Sequence, residues 1–539
     1  MKLTRREWLA RTGWLGVGTA VGPGLTWVSG CGDGGGEPPA PQFQHGVASG
    51  DPLPDAVILW TRVTTEEPGP VEVRWEVASD RGFATVVADG TVTTDATRDF
   101  TVKVDAVGLQ PGRTYYYRFE ALGGHSLVGR TRTASDAALD GFRFALLSCS
   151  NYARGFFHAY RRVAERLDLD AVVHVGDYIY ESGNARPDRL EIPEPRRVVP
   201  DREIVTLDDY RRRYAHYRTD TDLQAAHQMH PFIVVWDDHE TANNAWRDGA
   251  QNHQPDTEGA WEDRKTAAAR AHSEWMPIRD QAEPLKMWRS FRFGDLVELT
   301  MLDTRIWGRD ETTGTDTTLD IDDPDRTLLG EDQMAWLEER ITTTPARWKL
   351  LGQQVMMGQL LLGEDPVNLD QWDGYPAARQ RVFDVLATHA IDDVVVLTGD
   401  IHSSWANDLS PDPHDAALYD PATGAGSVAV ELVTPSVTSP FPFDDPDGTL
   451  ANAVKTLNPH VRYVDLKHHG YLVVDLTHER MQSDWYHLDG LAIGQGAESF
   501  ARAFRAETGA NHLVEAAEPT SGSSRGAAPA FVPPAPAHG

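Results

Sequence analysis

The sequence predicts an α/β protein with an all-β domain in front of it, and three observations carry that reading. From about residue 140, apolar strand-like runs with helical segments between them recur, which is the βαβ pattern of a parallel sheet. Residues 43–136 alternate instead: Val71, Val73, Trp75 and Val77 share one face, as do Tyr115, Tyr117 and Phe119. Five of the apolar runs end on ligand or proton chemistry: RFALLS before Cys149, AVVHVG before Asp177, FIVVW before Asp237, Asp238 and His239, VELTML before Asp303, and VVVLTG before Asp400 and His402. Ligands in open α/β sheets bind beyond the carboxyl ends of the strands. Five such endings in one chain therefore point to a single polynuclear metal site.

The 539 residues suffice for two or three domains. Lys2, Arg5, Arg6 and Arg11 precede a short apolar stretch broken by Gly and Pro, so residues 1–30 read as a signal peptide rather than a membrane span. TRREWLA resembles a twin-arginine export signal, a route that carries folded proteins and suits an enzyme loaded with metal before crossing. VSGC resembles a lipobox, whose cleavage leaves Cys31 as a lipidated first residue; a plain signal peptidase site nearby is the alternative. The expectation is a monomer exported by the twin-arginine machinery, periplasmic or at the cell surface, and held to the membrane by lipid on Cys31.

The net charge is −31, and loss of residues 1–30 takes four basic and one acidic residue with it, leaving −34. Such a surface repels nucleic acid, and an anionic substrate needs bound cations to offset it locally. With Cys31 lipidated, Cys149 stands alone and no disulfide forms. A lone cysteine in an exported protein is commonly an inert buried thiol; its place directly after a strand favours a ligand.

Residues 31–42 are Gly/Pro-rich and read as a flexible tether. In 43–136, LQPGRTYYYRF resembles the tyrosine-corner region of fibronectin type III domains, so a small supporting β-sandwich is expected. The domain over 140–512 opens with strand 143–148, a helix carrying Phe156, Phe157, Tyr160, Val163, Ala164 and Leu167, and strand 171–176. Residues 182–231 form a charged excursion with a helix around Tyr210, Tyr214 and Tyr217, read as packing residues. Strands follow at 231–236, 296–302, 348–351, 394–398, 428–434 and 471–476, then a late helix around Phe500 and Phe504. Residues 513–539 are low in complexity and read as disordered.

GDYIY places a carboxylate and a phenol three residues apart, WDDHE offers two carboxylates and an imidazole in succession, and GDIH offers Asp400 and His402 at i and i+2, on one side of an extended segment. The runs SCSN, GDYIYE, WDDHET, LDTR and GDIHSSW, in that order, resemble the PhoD-type alkaline phosphatases. FQHGVASGDPLPDAVILWTRV in the β domain and the twin-arginine segment extend the resemblance over most of residues 43–490. It implies a four-layer α/β/β/α metallophosphoesterase core behind a fibronectin III-like sandwich.

Carried over residue by residue, the resemblance makes Asp177 a bridging carboxylate and joins it with Cys149, Tyr180 and His402 in an Fe(III) site. Asp238, with Asp237 as the alternative, takes the place of the superfamily's metal-binding Asn, and His239 that of its catalytic His. Asp400 replaces the first His of the usual GHxH, and LLGQQVMMG lacks another expected His. Oxygen ligands thus replace imidazoles, favouring Ca2+ over Zn2+, while thiolate and phenolate suit ferric iron. Asn151 and Arg305 are candidate phosphate contacts, with ordering of the turn as the alternative for Asn151 and structural pairing with Asp303 for Arg305; the doublet His468-His469 resembles a metal pair but precedes a strand.

The expected reaction is hydrolysis of phosphate mono- and diesters by a metal-activated hydroxide, with His239 protonating the leaving oxygen. No GxSxG elbow offers a serine nucleophile. The alternatives are a dedicated phosphodiesterase of phospholipase D-like specificity and a surface binding protein with an inactive catalytic domain. Competent ligands at every expected position oppose the latter.

Overall fold

Three parallel strands, Phe142–Leu147, Ala171–His174 and Pro231–Val234, form the middle of a ten-stranded sheet in this computed structural model. The structure describes residues 41–66, 68–185, 192–311, 320–363 and 365–533. The expected signal peptide, the twin-arginine pair, Cys31 and most of the tether lie outside them.

A seven-stranded sheet faces the first. Its parallel strands Val297–Met301, Trp348–Gly352, Val394–Thr398 and Ala429–Val433 lie side by side. Alternation along them settles the layering. Val395 and Leu397 join the core cluster containing Phe144, Leu146 and Val173 of the large sheet, whereas Val394 and Val396 join Met334, Leu337, Val382 and Phe383 of two helices. Successive strand residues point to opposite faces, so the two sheets pack on each other with helices outside. That is the expected α/β/β/α stack. Each such fully buried Val or Leu contributes roughly 1.5–3 kcal/mol of transfer free energy.

On the outer face of the large sheet lie helices His158–Glu165, Leu207–Tyr217, Thr221–Met229 and Trp261–Trp275. The second is set by a capping box, in which Thr206 and Asp209 satisfy each other's backbone N–H groups. Its Tyr210, Tyr214 and Tyr217 are fully buried, the packing role expected of them.

The N-terminal β-sandwich is present, but one of its sheets is not its own. Val47–Gly50 pairs in parallel with Pro231–Val234, so strands Val47–Gly50, Ala56–Arg62 and Thr101–Val107 extend the large core sheet. Val57, Leu59, Val102 and Val104 pack against Val71, Val73, Tyr117 and Phe119 of a separate five-stranded sheet. The tyrosine corner is formed: the Tyr115 hydroxyl accepts the backbone N–H of Gln110 at 2.9 Å. The sandwich and the catalytic core therefore share backbone hydrogen bonds.

Two expectations are corrected. The late helix is a strand, Glu498–Glu507, paired with Arg480–Leu488. Phe500 and Phe504 are four apart, and that spacing returns to the same face in a strand as well as in a helix. The segment read as disordered from 513 is bound to the fold as far as it is described. Val514–Ala516 adds a strand, Arg525 bridges to Asp170 at 2.9 Å, and the Phe531 carbonyl accepts from Gln228 at 2.6 Å. Its small residues cannot build a core, but they lie flat against side chains that the folded domain already presents.

Candidate metal centre

Four of the predicted ligands share an uncommon backbone state. Cys149, Asp177, Asp400 and His402 have φ of 61°, 57°, 60° and 57°. Left-handed backbone at a non-Gly residue costs of order 1–3 kcal/mol and survives only where the surroundings hold it. Here the turns are tied by Cys149 N–H to the Gly176 carbonyl at 3.2 Å, Ser150 N–H to the Asp177 carbonyl at 2.9 Å, and Ser439 N–H to the Cys149 carbonyl at 3.3 Å. Each strand thus ends in a sharp reversal that brings its ligand over the carboxyl edge of the sheet. Gly176, at φ 101°, lets the Asp177 turn pass Asp237: a Cβ on it would lie 2.4 Å from the Asp237 Cβ.

Cys149, Asp177 and His402 place one donor atom each within 4.8 Å of one another. The Tyr180 hydroxyl stands among them, donating to Asp177 Oδ2 at 2.7 Å and lying 3.2 Å from His402 Nε2. His402 Nδ1 faces the Pro440 carbonyl at 3.1 Å, which fixes the tautomer with Nε2 free to act as a ligand. Burial pushes the Cys149 thiol and the Tyr180 phenol well above their ordinary values, and the Asp177 carboxylate adds to both shifts. The buried thiol and phenol need a highly charged cation to ionise beside the Asp177 carboxylate and the partly exposed His402 imidazole. This donor set fits one.

The second group is Asp237, Asp238 and Asp400, again within 4.8 Å. Burial raises the pKa of all three, Asp400 to about 6; Arg305 opposes the shift and the neighbouring carboxylates add to it. Asp237 Oδ2 and Asp238 Oδ1 are buried without a hydrogen-bond partner among the described residues. Buried carboxylates left so short of positive charge suit a divalent cation held by oxygen. Asp177 also joins Asp238 and His239 in a further group.

Arg305 corrects an expectation. It is fully buried, and its guanidinium meets Asp237 at 2.5 Å, Asp370 at 2.6 Å and Asp400 at 2.7 Å. Its donors are consumed by carboxylates, so it positions them rather than touching phosphate. The grip also separates the two neighbours: Asp237 is bound by Arg305, while Asp238 lies 3.5 Å from it and turns Oδ2 to the Asn244 N–H. Asp303 caps its own turn, accepting from the N–H groups of Arg305 and Ile306 at 2.8 Å each.

His239 stacks on Tyr180 with ring centroids 4.1 Å apart, and its Nδ1 lies 2.5 Å from Glu181 Oε2. Burial disfavours its charged form, but Glu181, Asp177 and Asp238 outweigh that and hold its pKa well above the ordinary value. Asn151 is half-buried beside Cys149, and its Oδ1 accepts from the Ala153 N–H at 3.2 Å, ordering the turn. The doublet splits: His469 turns to Ser436 at 2.9 Å and His468 to Asp465 at 2.9 Å.

Sequence reasoning missed four residues. Glu181 orients His239. Glu240 accepts from the N–H groups of Asp177 and Asp237 at 2.9 and 2.7 Å, clamping two strand ends together. Both stood inside the recognised runs GDYIYE and WDDHET. Asp370 and Ser439, which donates to the Tyr180 oxygen at 2.6 Å, come from distant loops and carry no local signal.

The family model for PhoD-like phosphatase matches residues 144–485, and that for the PhoD-like phosphatase N-terminal domain matches residues 31–135. Alkaline phosphatase D of Bacillus subtilis (strain 168) is 36% identical over 468 residues, covering 82% of this chain and 77% of the relative. A solved structure of PhoD superposes with a TM-score of 0.80 at 33% identity, covering 89% of this chain and 93% of that one.

Proposed function

Because this chain belongs to the PhoD-like phosphatase family and is a metal-dependent hydrolase of phosphate esters, we propose that it cleaves both monoesters and diesters at a mixed Fe(III)–Ca2+ centre. The observation that carries this reading is the double membership of Asp177, grouped with Cys149 and His402 on one side and with Asp238 and His239 on the other. A carboxylate so placed would serve as a ligand to both ions. Cys149, Asp177, Tyr180 and His402 would hold iron, since thiolate and phenolate suit ferric iron better than calcium; Asp177, Asp238 and Asp400 would hold calcium. When bound, such ions supply positive charge to the phosphoryl oxygens and an activated water.

The chain's own residues do the rest. Glu181 fixes the His239 Nδ1 proton, so Nε2 carries the proton delivered to the leaving oxygen. Asn151, on the turn beside Cys149, contacts the phosphate. Arg305, with Asp237 and Asp370, keeps Asp400 aimed at the centre. Export by the twin-arginine route, a lipid anchor on Cys31 and a monomeric state complete the proposal. Among the described residues no helix is long and apolar enough to cross a membrane.

The test is turnover of a chromogenic phosphate monoester and its diester counterpart by mature protein loaded with iron and calcium. Calcium-dependent cleavage of both supports the reading. Cleavage of the diester alone would replace it with a dedicated phosphodiesterase, and no turnover with both metals verified as bound would reject it.

A further inference from the structure

One more set of donors converges outside this centre. Asp465, His468 and His487 offer ligand atoms that all lie within 4.8 Å of one another. Asp465 ends the strand Val461–Asp465, His468 sits in the turn after it, and His487 comes from the strand Arg480–Leu488 of the other sheet. The site is therefore built where the two sheets meet, by tertiary structure and not by one loop.

Its parts are held in place. Asp465 Oδ1 accepts the backbone N–H groups of Lys467 and His468 at 3.0 and 2.8 Å, and Oδ2 meets His468 Nδ1 at 2.9 Å. The His468 ring lies nearly parallel to that of His487, with centroids 4.9 Å apart and planes 19° apart. His487 is 6% exposed, and its Nε2 stands 3.3 Å from Ser404 Oγ. The His468 side chain is 39% exposed, so the group opens to solvent on that side and leaves room for water as a further ligand.

Two imidazoles and one carboxylate with an open position form the donor set that borderline transition-metal ions prefer, in contrast to the oxygen-rich half of the main centre.

We propose that Asp465, His468 and His487 form a separate mononuclear site for a divalent cation of the zinc class. The site does not depend on the phosphatase reading, because none of its ligands belongs to the main centre.

Zn2+ is the probe. Protein purified with its own metals is equilibrated with buffered Zn2+, and the metals are counted by elemental analysis in wild type, His468→Gln and Asp465→Asn. His468 is half-exposed, so its substitution leaves the fold in place, which near-ultraviolet circular dichroism checks. Wild type should retain one more zinc per chain than either variant, with the other metals unchanged among the three. Co2+ should likewise give wild type a visible absorption band that His468→Gln lacks. Equal zinc content in all three proteins, or none retained by wild type, would overturn the site and mark the cluster as an ordinary hydrogen-bonded Asp–His pair beside a second ring.

Discussion

Glu181 and His239 stand 2.5 Å apart, carboxylate Oε2 to imidazole Nδ1, with Glu181 fully enclosed and fixed from behind by the Asn243 N–H and the Asn252 amide. Glu181 therefore sets which nitrogen of His239 is left free, the one that faces the ester in the proposed reaction. Replacing it by Gln leaves the shape and removes the charge. The expected result is a fall in kcat of roughly 10–100-fold, at or below the roughly 100–10,000-fold that a positioned acid or base itself contributes, with KM and metal content little changed. His239→Gln should cost more. Steady-state kinetics with elemental analysis decide it; wild-type kcat in Glu181→Gln would remove Glu181 from the mechanism.

Arg305 holds carboxylates that repel one another. Arg305→Met leaves Asp237 buried without its counter-charge, while Asp370 keeps Arg309 at 2.5 Å; breaking a buried pair on one side costs about 3–5 kcal/mol. Urea unfolding should show a loss of that size together with weaker calcium binding. A loss under about 1 kcal/mol, the scale of an exposed pair, would mean that Arg305 is not the keystone of the second group.

Gly176 is needed for the approach of Asp177 to Asp237. Gly176→Ala puts a methyl group 2.5 Å from the Asp237 backbone nitrogen, at a φ that already disfavours side chains. The two strand ends must separate, so iron content and turnover should fall together while far-ultraviolet circular dichroism is retained. Normal iron and activity would show that the turn has slack.

The candidate ligands were legible because each follows its strand within two to six residues, and strand endings are local. The layer order was legible through the resemblance and is visible in the alternation of Val394 to Leu397. What escaped is non-local. Asp370 reaches Arg305 across 65 residues of chain and Ser439 reaches Tyr180 across 259, and no spacing rule connects them. Arg305 in LDTR read as a phosphate contact or as a structural partner of Asp303; only the fold shows its donors taken by Asp237, Asp370 and Asp400. The segment after 513 read as disordered from its composition, whereas Arg525 and Thr520 find Asp170 and Asp484 already in place.

Acid should weaken the fold. His45, His174, His230, His272 and His460 are held down to about 3, burial being the largest cause in each. Unfolded, each titrates near 6.5. Between about 3 and 6.5 the unfolded chain binds more protons than the folded one, so stability rises with pH across that window and is lost as pH falls below about 6.5. Each group contributes a slope of up to about 1.4 kcal/mol per pH unit. Both ring nitrogens of His272 lack a hydrogen-bond partner among the described residues. His272→Phe should remove one such share, seen as a shallower fall of the urea midpoint from pH 7 to pH 5. An unchanged slope would assign the acid lability elsewhere.

Asp177 is proposed to join two metals. Iron and calcium content measured beside turnover in Asp177→Asn tests it most directly. The account predicts that both metals and activity are lost together; full turnover with both metals at wild-type levels would contradict it.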